Sequence, residues 1–110
     1  MISTHVLDTA RGRPASGVPV RLQVRRSGAW SDVAQGQTNA DGRVPGMQVP
    51  DPDHVDAARL IFAVAAYFLA TGQSAFYEEI SVEFTVADWS QKLHVPLLLS
   101  PFGYTTYRGS

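Results

Sequence analysis

The chain has 110 residues, of which 45% are hydrophobic and 17% are charged; this composition predicts one globular domain over residues 1–110 and excludes a disordered chain. Its formal net charge of −1 gives no electrostatic basis for binding nucleic acid or an anionic membrane. The sequence has no cysteine, which excludes disulfides, thiolate metal sites and a cysteine nucleophile and fits a reducing compartment.

Alternation of apolar and polar residues with a period of two predicts β-strands along most of the chain. The clearest run places Val18, Val20, Leu22 and Val24 on one face, and turns rich in Gly, Pro, Asn and Asp separate the runs. Short strands at this spacing are typical of an all-β antiparallel sandwich. We predict strands at residues 3–7, 18–25, 30–38, 44–49, 58–62, 80–87, 93–99 and 105–108.

One segment departs from the strand pattern. Residues 63–72 are rich in alanine, their apolar side chains fall on one helical stripe, and Gly72 suits a helix C-terminus, so we predict one short helix there. No run reaches the roughly 18 apolar residues that cross a bilayer, and the first residues lack the basic and apolar regions of a secretory signal. We therefore expect a cytoplasmic protein without a membrane partner.

The three histidines differ in their surroundings. His54 lies in an acidic, proline-containing loop and is predicted to be solvated, whereas His5 lies on the first strand. His94 lies on the face opposite the apolar run of its strand, beside Pro96 and Leu98. An outward face of this composition predicts that another subunit covers it. A single histidine on a strand is more often structural than catalytic, so none of the three identifies a site alone.

Residues 104–110 combine two tyrosines, two threonines and an arginine. This composition favours a pleated and partly buried surface, whereas the last residues of most domains pack against little. We expect the segment to have a functional role, with the carboxylate of Ser110 near the Arg108 guanidinium.

Three segments together resemble the transthyretin-related family, and more narrowly its 5-hydroxyisourate hydrolases. They are residues 94–110, Thr4-His5-Val6-Leu7-Asp8 and Thr38-Asn39-Ala40-Asp41-Gly42-Arg43, and the likeness runs from residue 3 to residue 110. The closing Tyr-Arg-Gly-Ser resembles the enzymes rather than the hormone carriers. The resemblance implies a transthyretin-like sandwich, a homotetramer built as a dimer of dimers, and hydrolysis of 5-hydroxyisourate to 2-oxo-4-hydroxy-4-carboxy-5-ureidoimidazoline in urate catabolism, without a cofactor.

The resemblance also implies a site, because the hydrolase motifs match this sequence residue by residue. His5, Arg43 and His94 would line one cleft with Tyr107, Arg108, Gly109 and Ser110. Histidine suits proton abstraction from water near neutral pH, and arginine suits a developing oxyanion and a urea-like face. We expect His5 and His94 to orient and activate water, Arg43 to clamp the substrate, Tyr107 to bind it, and Arg108 and Ser110 to close the site. Which histidine is the base is left open.

Other chemistries are disfavoured by the sequence. Zinc could bind two histidines and a carboxylate such as Asp8, but no ligands occur at a recognised short spacing, so we expect no metal site. No Gly-x-Ser-x-Gly elbow or phosphate-binding glycine loop occurs. The rival class is a non-enzymatic, transthyretin-like binding protein. By the resemblance, such carriers lack the residues that match His5, Arg43 and His94.

Overall fold

The alternating sequence folds into two β-sheets that pack face to face. The computed structural model of the protein describes residues 1–109, so the expectations for Ser110 lie outside the described residues. The elements in chain order are β1 (Ile2–Asp8), β2 (Arg13–Pro14), β3 (Pro19–Arg26), β4 (Ala29–Gln37), β5 (Arg43–Met47), β6 (Ala57–Ala63), α1 (Ala65–Ala70), β7 (Glu79–Phe84), β8 (Leu93–Ser100) and β9 (Gly103–Thr106).

The first sheet is built around β1 and β8, which pair in parallel from Ile2 opposite Leu93 to Asp8 opposite Leu99. Strand β9 pairs with β8, and both β2 and β5 pair with the other side of β1, all antiparallel. The second sheet has the antiparallel order β4-β3-β6-β7. Strands β7 and β9 are therefore edge strands of the two sheets within residues 1–109.

The core lies between the sheets and explains the alternation in the sequence. Every second residue of β1 is buried, from Ile2 to Asp8, while Ser3, His5 and Leu7 are only partly covered. Burial of such aliphatic side chains contributes about 1.5–3 kcal/mol each. The largest fully buried side chains are Phe62, Phe68, Ile2, Leu22, Leu60, Ile80, Leu97 and Leu99.

The helix α1 is attached to the first sheet by a buried carboxylate. Asp8 accepts hydrogen bonds from the Tyr67 hydroxyl at 2.6 Å and from Nε2 of Gln73 at 3.0 Å, and its other oxygen accepts from the backbone N–H groups of Ala10 and Arg11. Burial raises the pKa of Asp8, but these hydrogen bonds to the charged form outweigh it and lower the pKa. Asp8 thus has a structural role at the C-terminal end of β1, where it holds α1 against the first sheet.

The predicted fold class, a transthyretin-like sandwich with one short helix, is confirmed, and three details differ. The two-residue strand β2 was not predicted, and β1 and β8 pair in parallel within an otherwise antiparallel fold. The helix is shorter than predicted because Ala63 still pairs with Glu79 in the second sheet. No helix within residues 1–109 is long and apolar enough to cross a membrane.

Two expectations for the end of the first sheet also need correction. The last strand ends at Thr106, not at residue 108, and pairing resumes only at an isolated bridge between His94 and Gly109. Pro96 is buried within the chain itself, so the outer face beside His94 is less apolar than predicted. Exposed apolar surface is instead found at the β8–β9 turn, where Phe102 is 71% exposed.

Candidate active site

The outer face of the first sheet gathers polar side chains from three strands. Because Ile2, Thr4 and Val6 point inward, Ser3 and His5 point outward from β1. In the register of the sheet, Ser3 is opposite His94 of β8, and His5 is opposite Arg43 of β5. Directly opposed residues of an antiparallel pair have Cβ atoms about 4.5–5.5 Å apart. The structure therefore brings together His5, Arg43 and His94, the three positions that the motifs predicted.

Arg43 is positioned by a tight turn that leads into β5. The Asn39 side-chain oxygen accepts hydrogen bonds from the backbone N–H groups of Asp41 and Arg43, at 2.9 and 3.0 Å. The Gly42 carbonyl accepts a bond from the Val6 N–H at 2.7 Å, which ties the turn to β1. Gly42 has φ +77°, and a Cβ there would collide with the Val6 carbonyl. Asn39 and Gly42 thus hold Arg43 opposite His5.

His94 is held on two sides of its ring. Its Nδ1 lies 2.9 Å from the Ser3 hydroxyl oxygen. On the other side, Gly109 donates its backbone N–H to the His94 carbonyl at 2.7 Å, and a Cβ at Gly109 would lie only 2.8 Å from Cδ2 of the ring. Only glycine allows the tail to approach the ring this closely. The imidazole is therefore confined between β1 and residue 109.

The electrostatics of this face favour a neutral His94. Burial lowers the pKa of His94, and the positive charges of Arg43 and His5 lower it further, while the hydrogen bond with Ser3 opposes them. The net result is a pKa below the ordinary histidine value of 6.5. At neutral pH the ring therefore has a free lone pair, as a proton acceptor requires.

The predicted tail residues lie beside His94 but expose their side chains. Tyr107 and Arg108 lie between the last ladder pair of β9 and the bridge at Gly109, and Tyr107 is 54% exposed. Arg108 donates from Nη2 to the Gln91 side chain at 3.2 Å. Thr106 donates to the Pro96 carbonyl at 2.8 Å and fixes the start of the tail. The expected role of Ser110 falls outside the described residues.

Asp8 cannot join the two histidines of this face in a metal site. Its side chain is buried on the inner side of β1, whereas His5 and His94 lie on the outer side. Its oxygens already accept from Tyr67, Gln73 and two backbone N–H groups. Among residues 1–109, no cluster of three His, Asp or Glu side chains is placed to hold a metal ion.

A cavity of about 670 Å³ opens beside the tail, between the edges of the two sheets. It reaches His94, Tyr107 and Arg108 but neither His5 nor Arg43. Most of its other lining is apolar, from Val82, Phe84, Val86, Leu93 and Val95. A polar, planar substrate needs paired donors and acceptors, so the outer face with His5 and Arg43 is the better candidate site. His94 and the tail adjoin both this face and the cavity.

Sequence reasoning missed two contributors to the geometry. The strand pattern identifies Ser3 only as the first residue of a strand, although a residue two positions before His5 lies on the same face of that strand. Gly109 was recognised as part of the closing motif without a role of its own, because its close approach to the ring depends on pairing between distant residues. The parallel register of β1 and β8 brings Ser3 to His94, and an antiparallel bridge beyond β9 brings Gly109 there.

The fold and the site together define a transthyretin-like domain. Its features are a two-sheet sandwich with a central parallel β1–β8 pair, one helix between the sixth and seventh strands, and an outer face of His, Arg and His. The chain belongs to the HIUase/Transthyretin family, whose family model matches residues 2–109.

Named relatives place it within that family more narrowly. The chain is 44% identical to the 5-hydroxyisourate hydrolase of Mus musculus, with 99% of this chain and 94% of the relative covered. The structure of Klebsiella pneumoniae 5-hydroxyisourate hydrolase is 34% identical, with 99% and 92% covered and a TM-score of 0.80. Sea bream transthyretin in complex with thyroxine has a higher TM-score, 0.89, at a lower identity of 28%, with 98% and 93% covered. The backbone alone thus does not separate the enzymes from the carriers.

Proposed function

We propose that this chain hydrolyses 5-hydroxyisourate to 2-oxo-4-hydroxy-4-carboxy-5-ureidoimidazoline, as a step in urate breakdown. The observation that carries the proposal is the placement of His5, Arg43 and His94 on one face of one sheet. The relatives named 5-hydroxyisourate hydrolase support the choice of substrate, since their identities of 38–44% extend over nearly the whole chain.

The proposed reaction is water addition to a ring amide followed by cleavage of the C–N bond. His94, neutral because its pKa is lowered, accepts a proton from the water as its oxygen bonds to the carbonyl carbon. The resulting tetrahedral centre collapses, the C–N bond breaks, and the ring nitrogen takes, as it leaves, the proton that His94 accepted. The new carboxylic acid then releases its proton to solvent. The products are the carboxylate and the freed N–H. General-base assistance contributes about 10²–10⁴-fold.

Arg43 and His5 supply binding and charge in this proposal. The Arg43 guanidinium is always charged and can donate two parallel hydrogen bonds to a urea-like edge or to the oxyanion. His5, directly opposite Arg43, orients the water or substrate from the neighbouring strand. Tyr107 and Arg108 border the site at the tail, where Tyr107 binds substrate and Arg108 helps to close over it. No metal or organic cofactor takes part.

A rate measurement on freshly generated 5-hydroxyisourate tests the proposal. Loss of its ultraviolet absorbance should accelerate in proportion to protein concentration and be unchanged by a metal chelator. A transthyretin-like carrier, which the TM-score of 0.89 to sea bream transthyretin makes the second candidate, would leave the rate of decay unchanged while binding a ligand saturably. Activity lost in chelator and restored by zinc would contradict the metal-free chemistry.

We also propose that the protein is a cytoplasmic homotetramer. Two edge strands, β7 and β9, flank the apolar cavity between the sheets. Phe76 and Phe102 are 76% and 71% exposed, which is unusual for large apolar side chains of a small free domain. Pairing of edges between copies would cover both features. The absence of cysteine supports a reducing compartment.

A further inference from the structure

The side chain of Ser3 lies against the proposed base and has no place in the predicted site. Its Oγ is 2.9 Å from Nδ1 of His94 and 3.5 Å from the Leu93 carbonyl. Ser3 is directly opposite His94 in the parallel ladder, so the register itself sets this contact. A neutral imidazole acts as a base only through the nitrogen that carries no proton. The hydrogen-bond partner of the other nitrogen decides which of the two carries the proton.

We infer that Ser3 is a positioning residue: its hydroxyl donates to the Leu93 carbonyl and accepts from Nδ1–H of His94, which leaves the lone pair of His94 on Nε2. The reverse arrangement, with the hydroxyl donating to Nδ1, would place the ring proton on Nε2 and remove the base. The inference rests on the proposed function for its catalytic meaning, but the tautomer is a property of the protein without substrate.

The geometry around the ring supports Nε2 as the working nitrogen. Nδ1 faces Ser3, and Cδ2, the atom bonded to Nε2, faces Gly109. Among the described residues, the charged groups that act on the ring are His5 on β1 and Arg43 on β5. Tyr107 and Arg108 of the tail line the neighbouring cavity with His94, and Arg108 is bound to Gln91. His5 and Arg43 both disfavour a protonated His94, while a hydrogen bond with the Ser3 backbone favours it.

Threonine and valine at position 3 form a matched pair for the test. Both are β-branched and suit a strand, and they differ only in a hydroxyl in place of a methyl group. With ¹⁵N-labelled histidine, long-range proton–nitrogen correlation spectra report which ring nitrogen carries the proton, and the His94→Asn variant identifies the His94 signals. We expect His94 to carry its proton on Nδ1 in the native protein and in Ser3→Thr. In Ser3→Val, His94 should lose this preference and titrate at lower pH.

The same variants test the consequence for rate. Ser3→Val should reduce kcat/KM about tenfold, the effect of one lost hydrogen bond, and move the acid limb of the pH profile to lower pH, while Ser3→Thr keeps both. A native spectrum with Nε2–H, or a Ser3→Val protein with an unchanged tautomer and titration, would overturn the inference. The native spectrum needs no variant, so a folding defect in Ser3→Val cannot obscure the result. If neither the native protein nor the two variants hydrolyse 5-hydroxyisourate, the proposed function fails, while the spectra still decide the tautomer of His94.

Discussion

At the scale of single residues, His94 shows how the fold can tune a side chain for proton transfer. Partial burial and two neighbouring positive groups lower its pKa, and a hydrogen bond with the Ser3 backbone limits the effect. Because its charged form is disfavoured, the ring stays neutral at pH values where a fully solvated histidine begins to protonate. This matches the requirement for a base near neutral pH.

The pH dependence of the rate follows from the direction of that pKa shift. His94 accepts a proton only above its pKa, which lies below 6.5, so kcat/KM should be constant near neutrality and fall on the acid side with a midpoint below 6.5. Rates measured between pH 5 and 8, corrected for spontaneous decay of the substrate, check this. A flat profile, or a midpoint well above 6.5, would argue against His94 as the base.

Gly109 gives a second prediction at this scale. A Cβ at this position would lie 2.8 Å from Cδ2 of His94 and 3.1 Å from its carbonyl oxygen, so Gly109→Ala should displace the ring and reduce kcat/KM by about 10²-fold, a typical cost of misplacement by about 1 Å. Gly103→Ala is the control, since its Cβ meets only the Ser100 hydroxyl at 3.7 Å. Equal activity for the two variants would show that the tail does not position His94.

The sequence motifs could predict His5, Arg43 and His94, because each adjoins a recognisable local pattern. They could not predict how Ser3 and Gly109 act. Both contacts with His94 cross between residues 91 and 15 positions apart in the chain, and only the strand register determines them. The burial of Pro96 could not be predicted either, because other parts of the chain cover a residue that the strand pattern places on the outer face.

At the scale of elements, alternation located the strands well where one face is fully buried. Strand β8 begins at the predicted residue and β3 is displaced by a single position, since at least three buried apolar residues define each. Strand β2 has two residues and too little pattern to be recognised. The parallel pairing of β1 and β8 depends on contacts across most of the chain, which periodicity does not encode.

The bond between Tyr67 of α1 and Asp8 of β1 should contribute to stability without contributing to catalysis. Tyr67→Phe removes a 2.6 Å bond to a buried carboxylate and should reduce the free energy of unfolding by about 1.5–3 kcal/mol. Because the pKa of Asp8 is lowered in the folded state, its contribution is present at neutral pH and is lost as pH falls through that lowered pKa.

Denaturant unfolding at pH 7 and at acid pH measures this effect, with kcat/KM followed in parallel. Tyr77→Phe, in a ring that packs against Phe76 and Tyr104, is the control. The stability difference between Tyr67→Phe and the native protein should shrink in acid, and kcat/KM should stay near the native value. A large loss of activity in a folded Tyr67→Phe protein would show that Asp8 reaches the site after all.

At the scale of the whole molecule, the single chain leaves apolar surface that a free domain of this size would expose to water. The cavity of about 670 Å³ between β7 and β9 reaches His94 and the tail but neither His5 nor Arg43, and Phe76 and Phe102 are exposed. We expect sedimentation at micromolar concentration to give a tetramer. A monomer there would contradict the proposed assembly.

The most direct test of the account compares two histidines in one assay. His94→Asn removes the proposed base, whereas His54→Asn changes an exposed loop residue with φ +65°, a conformation that asparagine tolerates. The measurement is the initial rate of 5-hydroxyisourate loss for the native protein and both variants at equal concentration and oligomeric state. We predict that the native protein and His54→Asn accelerate the loss equally and that His94→Asn is slower by about 10²-fold or more. Equal rates for all three folded proteins, or no acceleration by the native protein, would contradict the account.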